Sequence, residues 1–167
     1  MHGDLVTLRL ATEADIPALA AIKASPEVAS RWLVEDGDAE KTVRDDLDGD
    51  DTVSFVIEHE GRVVGYIQFS EESDEMYRHA GIDLYLDPAV HSRGLGTDAV
   101  RTLARHLLTE RGHHRLVIDP AADNTTAIRA YSKAGFKPVG VMREYERGAD
   151  GRFHDGLLME MLASDLG

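Results

Sequence analysis

Two segments of the chain combine residue types and spacings that can do chemistry. Val90-His91-Ser92-Arg93-Gly94-Leu95-Gly96-Thr97 sets two glycines and an arginine just before a long amphipathic pattern. Glycines let successive backbone N–H groups approach an anion, and a helix N-terminus adds partial positive charge, so a phosphate or pyrophosphate is the natural ligand and Arg93 an added cation. The same pattern is also that of a plain tight turn. It is neither a P-loop, which needs Gly-Lys-Ser/Thr, nor the Gly-x-Gly-x-x-Gly dinucleotide fingerprint. The second segment runs from Asp119-Pro120 through Asn124, Ala127-Ile128-Arg129 and Tyr131 to Lys133, Gly135 and Phe136. Asn124 and Tyr131 are about two helical turns apart, so they share a face with Ile128 between them, where one ligand can touch all three. The structural alternative is that Asn124 caps the helix and Tyr131 packs into the core.

Composition narrows the chemistry. With 0 cysteines there is no disulfide, Cys-ligated metal or thiol nucleophile, so catalysis falls to oxygen, nitrogen or a cofactor. The 8 histidines show no His-Glu-x-x-His pattern. Asp46-x-Asp48-x-Asp50 is no calcium loop, because its sixth position is Asp51 and its twelfth Ile57. No metal site is expected. Lys and Arg total 18 against 31 Asp and Glu, a net charge of -13, which argues against nucleic acid or an anionic membrane as the main partner. The charge fits a cationic partner and fits plain solubility equally well. The start, Met1-His2-Gly3-Asp4, lacks a basic leader region, and no apolar run approaches the ~18 residues of a membrane span, so a soluble cytoplasmic protein is expected.

The elements that must position these segments follow from pattern. At 167 residues one domain with one core is expected. Leu5–Leu10 alternates as a strand, and Thr12-Glu13-Ala14-Asp15 opens a helix that carries Ile16, Leu19, Ala20 and Ile22 and stops at Ser25-Pro26. A short helix spans 39–47. Runs 52–60 and 62–71 form a hairpin hinged at Glu60-Gly61, and 79–87 is a strand stopped by Pro88. A helix follows over 97–111, ended by Gly112. After it come a buried strand over 116–118, a helix over 125–134 stopped by Gly135, and strands over 136–142 and 153–162.

Together the two segments resemble the GNAT superfamily of acyl-CoA-dependent N-acetyltransferases over nearly the whole chain, 1–167 as a single domain. Arg93-Gly94-Leu95-Gly96 takes the place of the family's pyrophosphate loop, with His91 where Gln or Arg is usual. Asn124 through Phe136 matches its Asn-x-x-Ala-x-x-x-Tyr-x-Lys-x-Gly-Phe signature. Within the superfamily, Gly81-Ile82-Asp83 with Asp119-Pro120 looks like the aminoglycoside 6'-N-acetyltransferases. The resemblance implies an α/β (α+β) fold: a mixed, mostly antiparallel sheet of about six to seven strands, splayed between the fourth and fifth and flanked by about four helices. It implies acetyl-CoA as cosubstrate, a cationic amine such as an aminoglycoside as acceptor, and a homodimer among the expected assemblies.

By the same resemblance, Leu84, Tyr85 and Leu86 pair with the pantetheine, and His91, Arg93, Gly94, Leu95, Gly96 and Thr97 hold the pyrophosphate. Asn124, Ala127, Tyr131 and Lys133 complete the cofactor set. The amine must be neutral to attack the thioester, so a carboxylate has to receive its proton; Asp83 is the candidate, against the alternative of an outward-facing strand residue. Tyr131 is the candidate acid for the departing thiolate. Asp119 and Glu72 are expected to bind acceptor ammonium groups, and Trp32 to stack on a sugar ring or to anchor the helices. The acidic runs Glu35, Asp36, Asp38, Glu40 and Glu71, Glu72, Asp74, Glu75 are expected to rim the acceptor pocket, or to be solvated loops. Protein amines remain an alternative acceptor, and a non-catalytic acyl-CoA-binding module an alternative class.

Overall fold

The computed structural model describes residues 1–166. In chain order they form β1 (Thr7–Leu10), α1 (Ile16–Lys23), α2 (Pro26–Ala29), α3 (Ala39–Asp48), β2 (Thr52–His59), β3 (Arg62–Glu72), β4 (His79–Leu86), α4 (Leu95–Thr109), β5 (Arg115–Ile118), α5 (Thr125–Ala134), β6 (Lys137–Arg147) and β7 (Phe153–Leu162). The strands make one 7-stranded sheet in the order β1-β2-β3-β4-β5-β7-β6, antiparallel except for β4 beside β5. Glu60 and Gly61 both have positive φ, 51° and 73°, which is the two-residue turn that matches the twist of a β2–β3 hairpin.

Three local readings differ from pattern. Leu5 and Val6 alternate like strand residues, but their N–H groups donate to the Asp98 carboxylate, so β1 begins only at Thr7. α1 stops at Lys23, just ahead of Ser25-Pro26, but Pro26 also opens a further short helix, α2, since proline lacks a donor that the first helical turn leaves unused anyway. β6 continues past residue 142 to Arg147 across an irregularity in its pairing with β7.

The sheet buries a core on each face. Ile57, Ile67, Phe69, Ile82 and Leu84 pack with Leu95, Leu103 and Leu107 of α4 on one side. On the other, Val56, Tyr66 and Tyr85 meet Ile16, Leu19, Val28 and Val43 of α1 to α3. Period-two alternation along β4 sends Ile82 and Leu84 to the α4 side and Asp83 and Tyr85 to the other. Tyr85 lies beneath the helices, whereas Asp83 is solvent-exposed.

Candidate active site

The parallel contact between β4 and β5 comprises only Ala80 with Leu116 and Gly81 with Val117. Beyond it the two strands no longer pair: Ile118, the last residue of β5, pairs with Met159 of β7 and with no β4 residue, while β4 runs on to Leu86. Two cavities flank this separation. The first, about 420 Å³, is lined by Asp83, Gln68, Glu72, Asp119, Tyr145 and their neighbours. The second, about 530 Å³, runs along Leu84–Leu86, the 90–97 loop and the face of α5 that carries Asn124, Ala127 and Tyr131. Asp83 in one lining and Leu84 in the other are adjacent in sequence, so the two cavities meet on β4.

Electrostatics single out Asp83. Its carboxyl opens to the cleft but has protein around its remaining sides. Desolvation first, then the charges of Asp119 and Glu146, push its pKa up to about 7, against a smaller opposing effect of the Leu84 N–H and Lys23. A carboxylate titrating near neutrality is suited to accept a proton. Burial, then Asp83 and Asp119, also raise the Tyr131 hydroxyl, so it stays protonated at neutral pH. Glu146 is shifted upward by burial and by Asp119. The cleft therefore concentrates negative charge, and a cation is its complement.

The second cavity fits an acyl-CoA. Ser92 and Gly94 have φ of 61° and 84°, left-handed turns that precede the first turn of α4, where backbone N–H groups are free of helix partners. Gly96 leaves room that a side chain would fill, since a Cβ there would stand 3.1 Å from Leu86 Cδ1. From Asp83 to Leu86, β4 has no β5 residue opposite it, which leaves a strand edge for an extended chain to join.

Every cofactor residue expected from sequence lines this cavity except Arg93, whose guanidinium donates instead to His59 Nε2 at 3.2 Å. Asn124 does cap α5, accepting the Ala127 N–H at 3.2 Å, while also lining the cavity. Glu72, Asp83 and Asp119 come together in the first cavity. Trp32 stands in the wall of the second, edge-on to Tyr85 at 5.0 Å and Tyr66 at 6.2 Å, with the Lys23 ammonium 5.3 Å from its ring centre. It thus packs against the helix-side core and borders the second cavity, not the first. Of the acidic runs, only Glu71 and Glu72 line either of these two cavities, and Glu71 is engaged by Arg111 and His113. Those two hydrogen-bonding partners bring its pKa down to about 2.

Tyr145 was not legible as a site residue. Its hydroxyl donates to Asp119 Oδ2 at 2.5 Å, and it reaches the cleft because β6 bulges between Met142 and Glu146, with Glu144 at φ 48°. Gln68, opposite Asp83 in the β3–β4 register, was missed as well; its Oε1 accepts the Tyr66 hydroxyl at 2.7 Å, which leaves its NH2 as a donor.

A family model described as acetyltransferase (GNAT) domain matches residues 6–137, and the chain belongs to that family. The aminoglycoside N(6')-acetyltransferase type 1 of Klebsiella pneumoniae is 30% identical over 158 residues, covering 84% of this chain and 78% of that protein. Among solved structures, AAC(6')-Ib in complex with paromomycin and acetyl-CoA superposes with a TM-score of 0.78 at 26% identity, covering 97% of this chain and 96% of its own. RimJ of Mycobacterium smegmatis in complex with CoA-disulfide reaches 0.83 at 22% identity, over 96% and 83% of the two chains, and shares the fold. No helix among the described residues is long and apolar enough to cross a membrane.

Proposed function

We propose that this acetyltransferase uses acetyl-CoA to acetylate the 6'-amine of aminoglycosides, inactivating the antibiotic. The observation that carries the reading is the position of Asp83, a carboxylate with pKa about 7 where an acidic cavity meets the groove that fits an acyl-CoA. The relative from Klebsiella pneumoniae and the AAC(6')-Ib structure support it.

The chain's groups account for a direct transfer. Asp119, braced by Tyr145, and Glu72 hold ammonium groups of the acceptor. Asp83 takes one proton from the reacting ammonium and leaves a neutral amine. That nitrogen bonds to the thioester carbonyl carbon while a free N–H on the β4 edge polarises the carbonyl oxygen. The C–S bond then breaks as Tyr131 gives its proton to the thiolate, and the second proton, which the bonded nitrogen sheds on becoming an amide, restores the Tyr131 hydroxyl through water. The products are the N-acetyl amine and free CoA.

The test is thiol release from acetyl-CoA with purified protein, offered a panel of kanamycin-class aminoglycosides and, separately, peptides with free α-amino and lysine amines. Turnover with the aminoglycosides is expected. Turnover on peptides alone would assign the acceptor to protein, and CoA binding without turnover on any amine would make the chain a binding module.

A further inference from the structure

Arg93 sits in the loop that fits the cofactor's pyrophosphate, yet its side chain is committed elsewhere. Its NH2 group lies 3.2 Å from His59 Nε2, and His59 Nδ1 lies 2.9 Å from the Leu5 carbonyl oxygen. A carbonyl only accepts, so Nδ1 carries the ring proton and Nε2 is the lone pair that receives Arg93. Leu5 is itself tied down. Its N–H donates to Asp98 Oδ2 at 2.7 Å, the Val6 N–H to the same oxygen at 3.0 Å and the Asp4 N–H to Oδ1 at 3.1 Å. Asp98 is 5% exposed and lies in the first turn of α4, directly after the loop. The Leu5 side chain also rests on Gly94, 3.5 Å from where a Cβ would stand. The result is a closed ring, from the loop through the end of β2 and the N-terminal segment back to the helix that the loop opens.

The groove has other cations. Arg129 and Lys133 both line it, four residues apart on α5, so they project from one face, and neither has an ion-pair partner among the described residues. Arg31, also in the lining, is paired with Asp123 at 2.6 Å.

We infer that Arg93 is a positioning residue, which holds the glycine loop in shape through His59, and that Arg129 and Lys133 are the side-chain cations that meet the phosphates of the cofactor. The inference rests on the reading above that this groove takes CoA. Backbone donors of the loop then bind the pyrophosphate, and their spacing depends on Arg93 although its charge does not contribute.

Calorimetric binding of CoA and of 3'-dephospho-CoA, each across a range of salt concentrations, separates charge from shape. Arg129→Ala with Lys133→Ala should weaken CoA by roughly tenfold or more at low salt and flatten the dependence of affinity on salt, because charge-assisted bonds to phosphate are lost. Both substitutions are on the exposed helix surface and leave the fold intact. If 3'-dephospho-CoA is unaffected by them, the phosphate met is the 3'-phosphate; if it weakens in parallel, it is the pyrophosphate. Either result supports the inference. Arg93→Ala and His59→Ala should each weaken CoA by a similar factor, keep the wild-type salt dependence, and together weaken it no more than either alone. A flattened salt dependence in Arg93→Ala, additive losses with His59→Ala, or unchanged binding in the α5 variant would overturn the inference while leaving the CoA reading intact. Failure of the wild-type chain to bind CoA would overturn both.

Discussion

Replacing Asp83 by Asn removes the titrating group at the junction of the two cavities and conserves its shape. With the pKa at about 7, the ionised fraction climbs from roughly 0.1 at pH 6 to roughly 0.9 at pH 8, so kcat/KM of the wild type should rise about tenfold over that range, with unit slope below pH 7. Asp83→Asn should lower kcat by about 10² to 10⁴ and abolish that acidic limb, while CoA affinity stays near wild type. The same shift acts on stability. The ordinary pKa is 3.8, so between that value and about 7 the folded chain keeps a proton that the unfolded chain releases, and stability falls as pH rises through this window. The full shift corresponds to at most about 4 kcal/mol. Water in the open cleft screens the charge, so the expected gain of Asp83→Asn over wild type at pH 8 is about 1–2 kcal/mol, vanishing near pH 4. Rate profiles and urea unfolding across pH 4 to 9 measure both. An acidic limb that survives in Asp83→Asn with its midpoint near 7 would show that another group is the base, and a stability difference independent of pH would show that Asp83 is not raised.

Other substitutions probe the remaining parts. Tyr131→Phe should slow turnover most with thioesters of poor leaving thiols; equal slowing with activated thioesters would assign Tyr131 to positioning. Glu71→Gln should cost about 1 kcal/mol at pH 7 by releasing Arg111 and the buried His113, measured by urea unfolding. Because the Glu71 pKa falls to about 2, that contribution is present above its ordinary 4.5 and lost as pH drops through 2, so the variant and wild type should converge in acid. Gly65→Ala places a Cβ 2.5 Å from the Tyr85 carbonyl oxygen and 2.7 Å from Leu86 Cδ2, so β3 must move from β4 at a cost of about 1–3 kcal/mol. A lower Tm and weaker CoA binding are expected, since the displaced β4 residues edge the second cavity, where CoA is proposed to bind.

The fold was legible wherever pattern and punctuation agreed. The hairpin at Glu60-Gly61, α5 between Asn124 and Gly135, and the apolar face of α4 were each marked by both periodicity and end signals. The residues that line the second cavity were legible because contiguous motifs carry them. What escaped depends on contacts distant in sequence. The commitment of Arg93 follows from a histidine 34 positions earlier, and the truncation of β1 from Asp98, more than 90 positions later. Tyr145 reaches Asp119 only through a bulge, which inserts residues out of alternation and has no period to detect. The acidic loops illustrate the reverse: their charge was evident, but only the fold shows that Glu71 and Glu72 both line the cleft and that Glu71 is held there by Arg111 and His113.

The most direct test of the central claim is mass spectrometry with NMR assignment of the product formed from acetyl-CoA and an aminoglycoside bearing a 6'-amine. The account predicts the addition of a single acetyl group, located on the 6' nitrogen, with one free CoA released per product. Acetylation at another nitrogen would contradict the assigned regiochemistry, and an unmodified aminoglycoside alongside acetylated peptide would contradict the acceptor class itself.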